Sequence, residues 1–117
     1  MKEREGSPAR TRVLALEGEF DVRTTNEAHK RLLALDLPRG GRLAVDLGAV
    51  TFMDSTGIRL PLQAREHARR CGASYVLVSV PPAVMRVLEL VGLEEQLDIV
   101  EPDLAPAPAA AGGGLAA

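Results

Sequence analysis

The 117-residue chain has a formal net charge of −2 and a single cysteine, Cys71. With no basic stripe to displace counterions from phosphates, this balance argues against an electrostatic nucleic-acid binder. One thiol rules out an intramolecular disulfide, and a cytoplasmic setting is the natural reading.

Hydrophobic residues make up 46% of the chain, enough for one domain's core. Aromatics are 3% with no Trp, so that core must be aliphatic. Residues 1–10 are polar and charged, lack the apolar run of a signal peptide, and read as a flexible arm outside the domain. No stretch of about 18 apolar residues occurs, so no membrane insertion is expected. The domain is placed at 11–101. Residues 102–117 are rich in Pro, Ala and Gly and read as a disordered tail.

Within the domain, strand and helix signals alternate. Arg12 to Gly18 is a strand candidate, followed by a turn at Glu19-Phe20-Asp21. Thr24 with Glu27 three residues later fits a capping box opening a helix. Ala28, Leu32 and Leu35 form its apolar face, and Pro38 with Gly40-Gly41 ends it. Leu43 to Leu47 is a second strand. A helix follows Asp54-Ser55 and runs to about Cys71, with Gly72 as its stop. Tyr75 to Val80 is nearly all apolar, as a central strand should be. Pro82 suits the first turn of a last helix, whose stripe is Val84, Val87, Leu88 and Val91. Leu97 to Val100 is a short final strand. The pattern predicts an α/β fold: a mixed, mostly parallel sheet of about four to five short strands, with about three to four helices packed on it.

Signatures of catalysis are missing. No Walker-type phosphate loop and no Gly-x-Ser-x-Gly elbow occur. His29 and His67 sit among charged neighbours in amphipathic helices and read as solvated helix residues. No His/Cys/Asp cluster has metal-ligand spacing, and no cofactor is implied. Cys71 reads as a small buried hydrophobe. Arg65, Arg69 and Arg70, with Glu66, lie on one helix. They form either a charge-paired solvated face or a docking face for an acidic partner.

Asp54-Ser55-Thr56-Gly57 stands apart from these. It follows an apolar strand and opens a helix. All three polar side chains are good acceptors for the unpaired N–H groups of a helix start. A hydroxyl there is exposed, and the helix dipole favours an added anion. A phosphate would add about −1.5 to −2 charges beside Asp54. That is enough to repel a surface that fits the bare hydroxyl.

The run Leu43-Ala44-Val45-Asp46-Leu47-Gly48-Ala49-Val50-Thr51-Phe52-Met53-Asp54-Ser55-Thr56-Gly57-Ile58 strongly resembles the signature of STAS-domain anti-sigma factor antagonists (anti-anti-sigma factors). Glu17-Gly18-Glu19-Phe20-Asp21 is similar to that family's Gly-Glu-(apolar)-Asp element. Residues Pro81 to Leu93 resemble its C-terminal helix. The resemblance spans roughly residues 12 to 101 and implies a STAS fold and a non-enzymatic binding switch. It implies binding to an anti-sigma factor that is also a serine/threonine kinase, which releases a sigma factor. Phosphorylation at Ser55 would end binding, and a metal-dependent, PPM-type phosphatase would restore it. Asp21, Asp54, Ser55, Thr56, Gly57 and Arg59 are the implied partner-binding positions, with Ser55 a better acceptor than Thr56. Asp21 also has a plain reading as a turn residue bonding its own backbone. Weak dimerisation is a further expectation.

Two residues depart from the family pattern, Arg59 and Pro61. An interior proline costs a helix about 3 kcal/mol, so a kink or a delayed helix start near Leu60 is expected. These departures motivate an alternative, a structural STAS subunit of a lipid-transport ABC complex or of a stressosome-like assembly.

Overall fold

The computed structural model describes residues 2–5, 10–93, 95–97 and 99–100. Five strands and three helices alternate along it. The strands are β1 (Lys2–Glu5), β2 (Thr11–Phe20), β3 (Arg42–Met53), β4 (Ser74–Val78) and β5 (Ile99–Val100). The helices are α1 (Val22–Leu33), α2 (Arg59–Arg70) and α3 (Pro82–Leu90). The strands lie in one sheet in chain order. β2 to β5 are parallel neighbours, and β1 pairs antiparallel on the edge of β2. The expected α/β architecture, a mostly parallel mixed sheet with helices packed on it, is the one observed.

Residues in register across a parallel sheet point to the same face. Leu14, Val45 and Leu77 are in register, and so are Leu43 and Tyr75. They form one core cluster with Ala28 and Leu32 of α1, Leu60, Ala64 and Ala68 of α2, and Val84 and Leu88 of α3. The largest fully buried side chains are mostly leucines: Leu14, Leu16, Leu32, Leu43, Leu47, Leu60, Leu77 and Leu88. The core is therefore aliphatic. Each such side chain contributes about 1.5–3 kcal/mol by leaving water.

Four local expectations are corrected. Lys2–Glu5, placed by sequence in an arm outside the domain, forms β1 against Arg12–Ala15. Its charged sequence carries no strand pattern, so the pairing comes from backbone groups meeting the open edge of β2. The tail at 102–117 lies outside the described residues.

The first helix is capped three residues earlier than Thr24. Asp21 is its N-cap, with Thr24 as the reciprocating third residue, and the helix ends at Leu33. An Asp-x-x-Thr box satisfies the N–H groups of Asp21 and Thr24 by the same reciprocal logic as the Thr-x-x-Glu box chosen by sequence, three residues earlier. His67, expected to be solvated, is buried, and its Nε2 lies 2.9 Å from the carbonyl oxygen of Leu35. A carbonyl can only accept, so Nε2 carries the proton. This bond ties α2 to the connection that leads into β3. Cys71, expected as a buried hydrophobe, is half-buried.

The proline in the second predicted helix, Pro61, acts as anticipated. α2 begins at Arg59, so Pro61 falls in its first turn. The first N–H groups of a helix have no intrahelical partner, so the missing N–H costs nothing there. Pro61 instead offers its carbonyl, which accepts a 3.0 Å hydrogen bond from the buried Tyr75 hydroxyl.

Candidate functional site

The carboxyl ends of parallel strands are where open α/β sheets place their sites. At this end Phe20 and Met53 are paired across β2 and β3. Asp21 and Asp54 are the next residues on the two chains. Asp54 N–H donates to the Phe20 carbonyl at 3.1 Å, which closes the two strand ends together. The two acids flagged by sequence therefore sit at one edge of the sheet.

Each acid organises the loop that follows it. Asp21 Oδ1 accepts from Thr24 N–H at 3.1 Å, and Thr24 Oγ1 accepts from Asp21 N–H at 3.0 Å. The Thr24 hydroxyl is 2.9 Å from the Glu19 carbonyl and 3.0 Å from Asp21 Oδ1, and gives its proton to one at a time. The bonds from Thr24, backbone first and hydroxyl second, hold the Asp21 carboxyl below its ordinary pKa.

Asp54 Oδ1 accepts two backbone bonds, from Thr56 N–H and Gly57 N–H, both at 2.9 Å. Ile58 N–H then donates to the Asp54 carbonyl at 3.0 Å, and Leu60 N–H to Gly57 at 3.0 Å. The result is one tight turn over residues 54–58 that runs into α2.

Ser55 is not the helix cap, which corrects the expectation that it would help cap α2. The cap position is Ile58, with no side-chain bond, and the capping carboxylate of the turn belongs to Asp54. Ser55 is exposed on the outside of the turn. Among the described residues its hydroxyl has no hydrogen-bond partner. Thr56 is half-buried, while Arg59 is exposed at the first position of α2.

Gly57 seats the turn on the sheet. A Cβ there would lie 2.6 Å from the Phe20 carbonyl oxygen and 2.8 Å from Met53 Cγ. No real Cβ approaches a backbone oxygen that closely, so only glycine lets the turn rest on both strand ends.

A second feature at this end was not anticipated. β3 runs past β4: their last register pair is Asp46 with Val78, and β3 continues to Met53. Two local devices end the pairing. Asp46 Oδ1 accepts from Gly48 N–H at 2.8 Å, and Ser79 takes a left-handed backbone with φ 58°. The chain then turns through Pro81 into α3. This leaves a cleft of about 280 Å³ between the end of β3 and α3. Val50, Phe52, Met53, Pro81, Val84 and Val87 line it, with Thr51 and Ala83. Phe52 is 51% exposed although it is one of only two phenylalanines. A large apolar side chain left in water at the mouth of a cleft marks an interaction surface. Its place in the apolar run before Asp54 was visible in the sequence, but its exposure depends on where β4 stops.

Among the described residues, no group of three or more His, Cys, Asp or Glu is placed to hold a metal ion. No helix of the described residues is long and apolar enough to cross a membrane.

Comparison with known proteins places this geometry. The chain is similar to the anti-sigma-B factor antagonist of Listeria monocytogenes serovar 1/2a, 29% identical over 82 residues, covering 70% of this chain and 72% of the relative. It is similar to the anti-sigma-B factor antagonist of Bacillus subtilis strain 168, 27% identical over 84 residues, with 72% and 76% covered. The fold matches the unphosphorylated form of the anti-sigma factor antagonist SpoIIAA with a TM-score of 0.64 at 19% identity, over 86% of this chain and 87% of that one. It also matches a sulfate transporter family protein from Wolinella succinogenes with a TM-score of 0.66 at 18% identity, over 81% and 79%. The model of the family described as "Mlab, STAS domain" matches residues 4–101. That match takes in every element from β2 to β5 and the whole surface around Ser55, and the chain belongs to the STAS-domain family.

Proposed function

We propose that this protein is an anti-sigma factor antagonist. In this reading the carboxyl-end surface around Ser55 docks an anti-sigma factor that is a serine/threonine kinase, and the sigma factor is thereby released. The observation that carries the reading is the Ser55 hydroxyl, exposed and unengaged on a turn whose neighbours are pinned by Asp54 and Gly57. The similarity to anti-sigma-B factor antagonists supports it.

The switch follows from charge. The kinase transfers a phosphoryl group from ATP to Ser55 Oγ, and the hydroxyl proton leaves. A group of about −1.5 to −2 charge then stands where a neutral hydroxyl stood. Asp54 is its chain neighbour and Asp21 lies on the adjoining strand end, so the added charge builds on two acids, with Arg59 at the start of α2 as the neighbouring cation. A partner surface fitted to the hydroxyl meets both bulk and repulsion. A PPM-type phosphatase would restore binding by hydrolysing the phosphoester. Asp21, Asp54, Thr56, Gly57 and Arg59 complete the docking surface, with the Phe52 cleft beside it. All of this chemistry belongs to the cytoplasm.

The test is to mix the protein with its cognate anti-sigma kinase and ATP and map phosphate by mass spectrometry. Modification at Ser55 is expected. Ser55→Ala should bind without being switched, and Ser55→Asp should bind weakly. No phosphate at Ser55 together with unchanged binding by Ser55→Asp would sink the proposal. The Mlab description of the matched family model favours keeping a second reading, a structural STAS subunit of a lipid-transport ABC complex. Copurification with an ABC-type ATPase rather than a kinase would select it.

A further inference from the structure

The amino ends of the strands form the pole opposite Ser55, and arginines collect there. Thr11, Arg42 and Ser74 are in register at the starts of β2, β3 and β4. Arg10 precedes β2, and its Nη2 donates to the Arg39 carbonyl. The Arg10 guanidinium lies over Gly40, with Nη2 3.0 Å from where a Cβ would stand, and the Arg39 guanidinium lies over Gly72 at 3.1 Å. Arg42 Nε donates to Ser74 Oγ at 3.4 Å.

Two depressions meet at Ser74. One, of about 330 Å³, is lined by Arg10, Thr11, Gly40, Gly41, Arg42 and Ser74. The other, of about 230 Å³, is lined by Arg65, Arg69, Ala73, Ser74 and Tyr75.

Among the described side chains, few carboxylates are available to this pole. Glu66 is already shared by Arg69 and Arg70. Asp36 is exposed on the connection that carries Arg39. Among the described residues, Arg10, Arg39, Arg42 and Arg65 have no ion-pair partner. Holding like charges together without counter-charges costs free energy unless a ligand supplies them.

We propose that this pole docks an acidic, Asp/Glu-rich segment of a partner protein. Guanidinium groups present a planar fork that takes a carboxylate in two parallel hydrogen bonds, and all of these cations are arginines. The two joined depressions give an extended acidic chain successive side-chain seats. The backbone N–H groups of Gly40, Gly41 and Arg42 already donate to carbonyls, so recognition falls to the side chains. Neither depression is lined by an exposed large apolar residue, which a membrane-inserting surface would carry. The one aromatic ring in the lining, Tyr75, is buried and gives no platform for base stacking. This site is separate from the Ser55 surface, and its fate does not depend on that proposal.

The test uses the full chain and a fluorescein-labelled oligo-glutamate peptide, read by anisotropy at low and moderate salt. Saturable binding that weakens with salt is expected. Arg39→Glu/Arg65→Glu, both at exposed positions, should lose at least about tenfold in affinity. Arg42→Gln, the smaller change, should lose about threefold. Arg23→Glu/Arg86→Glu makes the same change in net charge away from the pole and should bind like the parent. Circular dichroism verifies that each variant is folded. Absence of saturable binding would overturn the proposal, as would equal losses in the two double variants. So would capture of phosphatidylserine vesicles or an oligonucleotide with no binding of the peptide.

Discussion

At the scale of single residues, the surface around Ser55 is built by three neighbours with separate duties. Asp54 ties down the turn, Gly57 seats it, and Ser55 is left free at its outer edge. This division predicts the outcome of Gly57→Ala. The added methyl must move either the Phe20 carbonyl or the turn itself. Overpacking of this kind costs about 1–3 kcal/mol, readable as a lower urea midpoint at unchanged slope. Partner binding should fall by more than the stability loss explains, because the turn is lifted off the strand ends. A variant with full stability and full binding would remove Gly57 from its assigned role. The place of this surface was legible in the sequence, since Asp-Ser-Thr-Gly after an apolar strand already reads as a helix mouth with three polar acceptors. The division of labour was not. Three acceptors in a row compete for the same N–H groups, and only the folded turn assigns the bonds to Asp54. Asp21 was weighed as partner contact against turn residue, and its bonds to Thr24 make it the cap of α1.

At the scale of elements, α2 connects the two poles of the molecule. Its first residue, Arg59, adjoins the Ser55 turn, and its later residues Arg65 and Arg69 line the basic pole. Pro61 sets where the helix begins, and Tyr75 from β4 fixes that first turn through the Pro61 carbonyl. Tyr75→Phe keeps the ring and removes the donor. The Pro61 carbonyl keeps its place in the helical ladder, so the change removes one buried hydrogen bond worth about 0.5–1.5 kcal/mol, and thermal unfolding should move down by a few degrees. Amide exchange should rise at the start of α2 more than at its end. Equal exchange along α2 would show that the hydroxyl does not anchor this turn. The periodicity of leucines and valines made the strands and helices readable, and Pro61 announced the delayed start of α2. β1 was unreadable because Lys-Glu-Arg-Glu carries no apolar alternation that a pattern could reveal. His67 was misread for a related reason. It sits among charged residues in sequence, yet it points at the connection after α1, and that contact exists only once α1 and α2 are packed together.

At the scale of the whole molecule, the near-zero net charge conceals an uneven arrangement. Asp21 and Asp54 gather at one end of the sheet, and Arg10, Arg39, Arg42, Arg65 and Arg69 at the other. No single window of sequence displays this, because the arginines come from three separate segments. Parallel strands bring their first residues to one end and their last residues to the other.

Two of the acids also set how the molecule answers to pH. The carboxyls of Asp21 and Glu66 are both lowered in the fold. The causes are the bonds from Thr24 for Asp21, and the Arg69 and then the Arg70 guanidinium for Glu66. A lowered folded-state pKa means the unfolded chain binds protons that the folded chain refuses. The associated stability is therefore present above the ordinary values of 3.8 and 4.5 and is lost as pH falls through the lower folded ones. Arg69 is raised by its bond to Glu66, so the guanidinium itself stays charged across the whole acid and neutral range. Urea denaturation should give flat stability from pH 7 down to about pH 5 and a decline below it. Asp21→Asn/Glu66→Gln should make that decline shallower, with Asn keeping a neutral cap. Salt separates the two contributions. The exposed Glu66 pairs are screened by added sodium chloride, whereas the hydrogen bonds from Thr24 to Asp21 are short-range and persist. In high salt, Asp21→Asn should therefore still flatten the acid limb and Glu66→Gln should no longer do so. Identical acid limbs for the parent and the double variant would mean that other carboxylates govern the transition.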